Sequence, residues 1–145
     1  MKVLLINGSP HKDGCTFTAL NEVAKTLEKN GIENEILYLA VKHIAGCIAC
    51  GKCSQLGKCF IDDKVNENLA RCDEFDGVVI GSPVYYAGPS GQIRAFLDRL
   101  FYAGGRRFAG KPGAAVVSCR RGGATAAFDQ LNKYFTISSM PIVSS

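Results

Sequence analysis

Four of the seven cysteines fall within 13 residues, as Cys47-Ile-Ala-Cys50-Gly-Lys-Cys53-Ser-Gln-Leu-Gly-Lys-Cys59, a C-x2-C-x2-C-x5-C run. Thiolates at such short spacing fold around one point, and the flexible Gly57 returns the fourth sulfur to the first three. The run is close to the one that ligates iron–sulfur cubanes, although its last gap is longer and no proline follows it. Zinc sites more often use two separated C-x2-C pairs, which places zinc second, and a reduced thiol loop without metal is the third reading. An odd number of cysteines behind an N-terminus without an export signal points away from disulfides and toward a cytoplasmic protein. The N-terminal apolar run, residues 3–6, is shorter than the ~7–15 residues of a signal peptide's apolar region.

Three further segments carry groups suited to a ligand. The first, Gly8-Ser9-Pro10-His11-Lys12-Asp13-Gly14-Cys15-Thr16, combines the hydroxyls of Ser9 and Thr16 with the backbone N–H groups of a helix start, a phosphate cradle. The plain alternative is a β–α turn with Thr16 as N-cap. It is not a Walker A loop, because Cys15 stands where the lysine would be, and the GxGxxG of a dinucleotide site is absent. The second, residues 82–90, presents Pro83, Val84, Tyr85 and Tyr86, whose rings and backbone N–H groups suit a flat heterocycle or simply pack the loop. The third, Ser118-Cys119-Arg120-Arg121-Gly122-Gly123, adds a glycine-rich backbone and two guanidinium groups. Together they fit a phosphate-bearing flat cofactor, and FMN fits best.

The elements that must position these loops alternate. Residues 2–7 (KVLLIN), 32–39 (IENEILYL), 77–83 (GVVIGSP) and 111–119 (KPGAAVVSC) read as strands, and residues 141–145 begin a fifth. Helical spacing covers residues 16–30, a segment capped by Asp62 or Asp63 with Val65, Leu69 and Cys72 inward, residues 90–102, and residues 124–135 on Ala127, Phe128, Leu131 and Phe135. Apolar strands alternating with amphipathic helices predict an α/β doubly wound parallel sheet in three layers, flavodoxin-like, with strand order 2-1-3-4-5. One domain fills residues 1–145, with a cysteine-rich loop at 40–60. No helix follows the fifth strand, so the reading expects a truncated chain or a partner chain over that face. With 47% hydrophobic residues and a net charge of +4, the chain has the makings of a packed core. It has no charge block calling for nucleic acid and no apolar run long enough for a membrane helix.

The set Asn7-Gly8-Ser9-Pro10…Gly14-Cys15-Thr16, Gly81-Ser82-Pro83-Val84-Tyr85-Tyr86 and Phe96-Leu97-Asp98-Arg99 resembles the NADPH-dependent FMN reductase-like branch of the flavodoxin superfamily. With the cysteine loop added, it resembles the iron–sulfur flavoproteins. The resemblance implies that Ser9, His11, Cys15, Thr16 and Phe17 surround the FMN phosphate, with Pro83, Val84, Tyr85 and Tyr86 along the ring. Ser118, Cys119, Arg120, Gly122 and Gly123 would lie on its far side. Cys15 departs from the asparagine usual in that family, so one side-chain phosphate contact is weakened or replaced. Cys47, Cys50, Cys53 and Cys59 become ligands of a [4Fe-4S] cluster, with Lys52 and Lys58 either offsetting its charge or merely solvated.

The implied function is an FMN-dependent oxidoreductase moving electrons between flavin and cluster, with no catalytic side chain. NAD(P)H or a quinone would react at the flavin, and a ferredoxin-like protein would meet the cluster, in a homodimer or homotetramer. The alternatives are an NAD(P)H-dependent FMN or quinone reductase without a cluster, an electron-carrier flavodoxin, which the basic charge disfavours, and a zinc-stabilised interaction module. Cys72 reads as core, Cys119 as packing or flavin contact, and His43 as a loop residue. Arg106-Arg107 read as a solvated turn or a nicotinamide-phosphate contact.

Overall fold

A computed structural model describes residues 1–39 and 43–143. Residues 40–42 of the expected loop and 144–145 of the expected fifth strand lie outside that description. The central strand pair follows directly from apolar runs: β1 (Lys2–Asn7) and β3 (Gly77–Tyr85) are buried on both faces for most of their length. β2 (Glu33–Tyr38) lies on the far side of β1, and β5 (Gly113–Ser118) on the far side of β3, all in parallel register. Leu4↔Val78 and Ile6↔Ile80 stand opposite each other in the β1–β3 pair. Because successive strand residues face opposite ways, Leu4 and Ile6 enter one core, and Val3 and Leu5 the other.

The larger core takes Val65 and Leu69 from α3 (Lys64–Ala70), Phe96, Leu97 and Leu100 from α4 (Gly91–Gly104), and Leu131 and Phe135 from α5 (Ala124–Ile137). The smaller one takes Leu20 and Ala24 from α1 (Cys15–Lys29). Asp63 caps α3 through its carboxylate on the Val65 N–H at 3.0 Å, and Ser90 caps α4 through the Ile93 N–H at 3.2 Å, each supplying an acceptor to an otherwise orphaned donor. Burial pushes the Cys72 thiol above its ordinary range, consistent with a packing role. It sits in a short 3₁₀ turn after α3 rather than on the helix.

Three readings need correcting. The fifth strand is present, among the described residues, only as one parallel bridge from Ile142 to Gly113. The sheet's fifth strand is instead β4 (Gly88–Pro89), a two-residue antiparallel arm folded back on β3. Thr16 is not an N-cap: Gly14 holds that position and Thr16 lies inside the first turn. Phe128 is exposed, because the buried face of α5 runs through Ala127, Leu131 and Phe135.

β2 is tied to the turn after α3 by ionic contacts at one end of the sheet. Arg71 donates to both Glu35 carboxylate oxygens at 2.8 and 2.7 Å, and Lys2 lies 3.2 Å from the same group. The Arg71 hydrogen bond, opposed by partial burial and aided by Lys2, lowers Glu35 from 4.5 to about 2. A carboxyl lowered on folding adds stability that is complete above its unfolded value and lost as pH falls toward its folded one. The resistance of the native protein to urea is therefore expected to fall between pH 4.5 and 2. Glu35→Gln should flatten that part of the profile while leaving other carboxyls to titrate.

Candidate functional site

The carboxyl ends of β1, β3 and β5 bring the three candidate loops together. Gly8 N–H donates to the Gly81 carbonyl at 2.9 Å, and the Ser90 hydroxyl donates to the Gly8 carbonyl at 2.7 Å, which joins the first loop to the second. Gly8 must be glycine here, since a Cβ would stand 2.6 Å from Ile93 Cβ. The Thr16 and Ser118 hydroxyls meet at 2.9 Å, joining the first loop to the third. A Cβ on Gly123, whose φ is +89°, would lie 2.8 Å from Ala87 Cα, so the third loop also packs on the second.

The first loop is shaped as an anion cradle. Asn7, fully buried, accepts from the Ser9 N–H, and the buried Ser9 hydroxyl accepts from the His11 N–H. α1 begins without a side-chain cap and without an acid in its first turn. The N–H groups of Cys15, Thr16 and Phe17 thus have no protein acceptor among the described residues, which is the donor set a phosphate takes at a helix N-terminus. Asn7 Nδ2 is likewise buried without a partner, a polar atom left for a bound group to satisfy. These features fit FMN. Cys15 and His11 are exposed beside the cradle and Phe17 is half-buried.

The second loop holds Pro83 and Val84 half-buried at the end of β3, with Tyr85 and Tyr86 exposed. Tyr86 and Ala87 have φ of +50° and +59°, a conformation uncommon for residues with a Cβ, held by the β3–β4 turn. In the third loop Cys119, Arg120, Arg121 and Gly122 are exposed, and α5 also starts without a side-chain cap.

The cysteine loop packs against α4, on Arg99, Tyr102 and Ala103. Cys47, Cys50, Cys53 and Cys59 line one small pocket, with Ile48, Phe60, Arg99 and Tyr102 among its walls. Its free space is about 20 Å³, room for one water. Among the described residues no group of three or more His, Cys, Asp or Glu side chains is arranged to hold a metal ion. The loop backbone is nevertheless curled inward: Ala49, Gly51 and Gly57 all have φ between +52° and +68°. Gly51 in the left-handed region is followed by Lys52 in the right-handed one. Such a pair turns successive N–H groups to one side, the concavity used for phosphates and iron–sulfur centres. α2 (Cys53–Leu56) starts immediately after it. Lys52 stacks on the Phe60 ring at 3.7 Å, so it is not a freely solvated lysine.

Two residues that the sequence did not single out for this site hold it. Asn66, buried in α3, accepts from the Cys59 N–H and donates to the Cys59 carbonyl, both at 2.9 Å. Arg99, buried in α4, places Nε 3.2 Å from Cys59 Sγ. None of the remaining three candidates, His43, Arg106 and Arg107, lines the cysteine pocket. Arg107 pairs with Asp73 at 2.6 Å, leaving Arg106 exposed. His43 is exposed.

The family model for NADPH-dependent FMN reductases matches residues 1–145. An iron-sulfur flavoprotein of Methanocaldococcus jannaschii is 38% identical over 146 residues, which cover 99% of this chain and 76% of the relative. An iron-sulfur flavoprotein of Methanosarcina thermophila is 29% identical over 147 residues, covering 99% of this chain and 77% of the relative. In fold, the chain is similar to an apo NADH:FMN oxidoreductase, with a TM-score of 0.73 at 21% identity over 99% of this chain and 73% of that one. It is also similar to an archaeal flavodoxin, with a TM-score of 0.69 at 16% identity over 100% of this chain and 80% of that one. With the family model spanning the whole chain and a relative of 38% identity over nearly all of it, the protein belongs to the NADPH-dependent FMN reductase family and is an FMN-dependent oxidoreductase.

Proposed function

We propose that the protein moves electrons between FMN at the carboxyl edge of the sheet and a [4Fe-4S] cluster bound by Cys47, Cys50, Cys53 and Cys59. NAD(P)H or a quinone would exchange electrons at the flavin. The observation that carries the cluster is the convergence of all four cysteines on one pocket whose backbone is bent by Ala49, Gly51 and Gly57. Gly46, Gly51 and Gly57 have open space around them, so the loop has room to open around a group larger than the present pocket. The names of the curated relatives agree with this reading.

Bound flavin supplies two-electron chemistry and the cluster one-electron chemistry. The chain's own residues do the rest. The first-turn N–H groups of α1, with Ser9 and the Thr16–Ser118 hydroxyl pair, bind and orient the phosphate. Tyr85 and Tyr86 offer aromatic faces to the ring, and Arg120 brings positive charge to the same edge. The free N–H groups of Gly51, Lys52 and Cys53 face no protein acceptor among the described residues and are suited to hydrogen-bond thiolate sulfur, which raises a cluster's potential.

Anaerobic isolation followed by reconstitution with iron and sulfide tests this. The expected result is a flavin spectrum with a broad cluster band, and about four irons and four sulfides per chain, the content of one cubane. Cys50→Ser should abolish the iron and sulfide while FMN stays bound. Full flavin with no iron in the native protein would overturn the cluster and leave a cluster-free NAD(P)H-dependent reductase.

A further inference from the structure

The guanidinium of Arg99 is the most deeply buried charge near the cysteine loop, with its side chain 0% exposed. A guanidinium has five N–H donors, and all five are used here. Nε donates to Cys59 Sγ at 3.2 Å. One terminal nitrogen donates to the Ala45 carbonyl at 3.2 Å and to Asp63 Oδ2 at 2.6 Å. The other donates to the Ile61 carbonyl at 2.7 Å and to Asp63 Oδ1 at 2.9 Å. Ala45 precedes the first cysteine of the run, and Ile61 and Asp63 follow the last. One side chain, carried by the rigid α4, therefore closes both ends of the loop and touches one of its sulfurs.

Cys59 is thus set apart from the other three. Its backbone is gripped on both sides by Asn66 and its sulfur by Arg99, whereas Cys47 and Cys50 are exposed. We infer that Arg99 is a positioning residue for the cysteine site: it fixes Cys59 as the anchor ligand and, balanced by Asp63, sets the positive charge that the site feels. This rests on the cluster reading given above.

The physical consequence is a pair of opposed effects. Reducing the cluster adds one electron from an external reductant such as dithionite, with no bond made or broken. An N–H···S bond and a nearby positive charge both favour the form carrying that extra negative charge. Arg99→Lys keeps the charge but loses the planar fork and its Nε–H donor, so the cluster becomes harder to reduce. Asp63→Asn keeps a capping side chain on α3 but leaves the guanidinium uncompensated, so the cluster becomes easier to reduce.

The test is an anaerobic redox titration of reconstituted holoprotein followed by electron paramagnetic resonance. Each variant is expected to move the redox equilibrium constant roughly tenfold, about 59 mV for one electron, downward for Arg99→Lys and upward for Asp63→Asn. Hydrogen exchange on the metal-free, FMN-bound protein supplies a readout that needs no cluster. Amides of residues 45–63 should exchange at least tenfold faster in Arg99→Lys, with α1 and β1 unchanged. If the variants lose the cluster but show this localised release, the anchoring is supported. Potentials moving in the same direction, or not at all, with unchanged exchange would overturn the inference while the cluster reading stands. Wild-type protein that takes up no iron and sulfide would overturn both.

Discussion

Asp63→Ala is expected to lower the free energy of unfolding by about 3–5 kcal/mol, the loss seen when one partner of a buried ion pair is removed. The Arg99 side chain has no access to solvent, and Asp63 takes two of its five hydrogen bonds, at 2.6 and 2.9 Å. Alanine leaves that charge buried with only carbonyls and a sulfur for company. It also removes the acceptor that caps α3 at Val65, a further loss of about 1 kcal/mol. The measurement is the urea midpoint of the FMN-bound protein. Because desolvation of the orphaned charge is the main cause, Arg99→Met with Asp63→Ala in the same chain should recover a large part of the loss. A single mutant within about 0.5 kcal/mol of wild type, the range of ordinary surface changes, would show that the guanidinium has another way to be satisfied.

Gly8→Ala is expected to weaken FMN binding more than tenfold and to destabilise the apoprotein by about 1–3 kcal/mol, the usual penalty of overpacking. The added methyl would stand 2.6 Å from Ile93 Cβ and 3.1 Å from the Gly81 carbonyl oxygen. Neither neighbour can yield easily: Ile93 is fully buried at the start of α4, and Gly81 is part of the central strand. The loop must move instead, and with it the turn that sets the α1 donors toward a phosphate. Flavin fluorescence quenching on titration reads the affinity. Gly46→Ala serves as the control, since nothing lies within 4 Å of its Cβ position, and it should leave both quantities unchanged.

Much of this architecture could be read along the chain. The strand at residues 2–7 has the bounds expected of it, and the helices at residues 16–30 and 124–135 are displaced by a residue or two at their ends. Apolar runs and helical periodicity report burial on a local scale, and burial is what these elements share. The proximity of Cys47, Cys50, Cys53 and Cys59 was also legible, because short spacing limits how far apart four residues can lie. The β4 arm was not, since its two residues carry no periodicity and are held by pairing with β3. Nor was the fate of the fifth strand, which hangs on a single bridge at Gly113.

The role of Arg99 was hidden for a different reason. In the sequence it appears only as the last residue of the Phe96-Leu97-Asp98-Arg99 motif, 40 positions from Cys59 and with no role toward the cysteines. Nothing in that motif says that its guanidinium is buried against the cysteine loop while that of Arg94, on the same helix, is exposed. Asn66 is equally unremarkable until its amide is seen bridging both backbone groups of Cys59.

The linear order of residues thus decided the alternation of strand and helix, the flavodoxin-like class and the chemical types at each loop, since these depend on hydrophobic period and short spacing. Only the tertiary structure decided which loops meet, which N–H groups are left without acceptors, and which charge is buried against the cysteines. Those depend on desolvation and on contacts between distant segments: a polar group removed from water must find its partners wherever the fold places them.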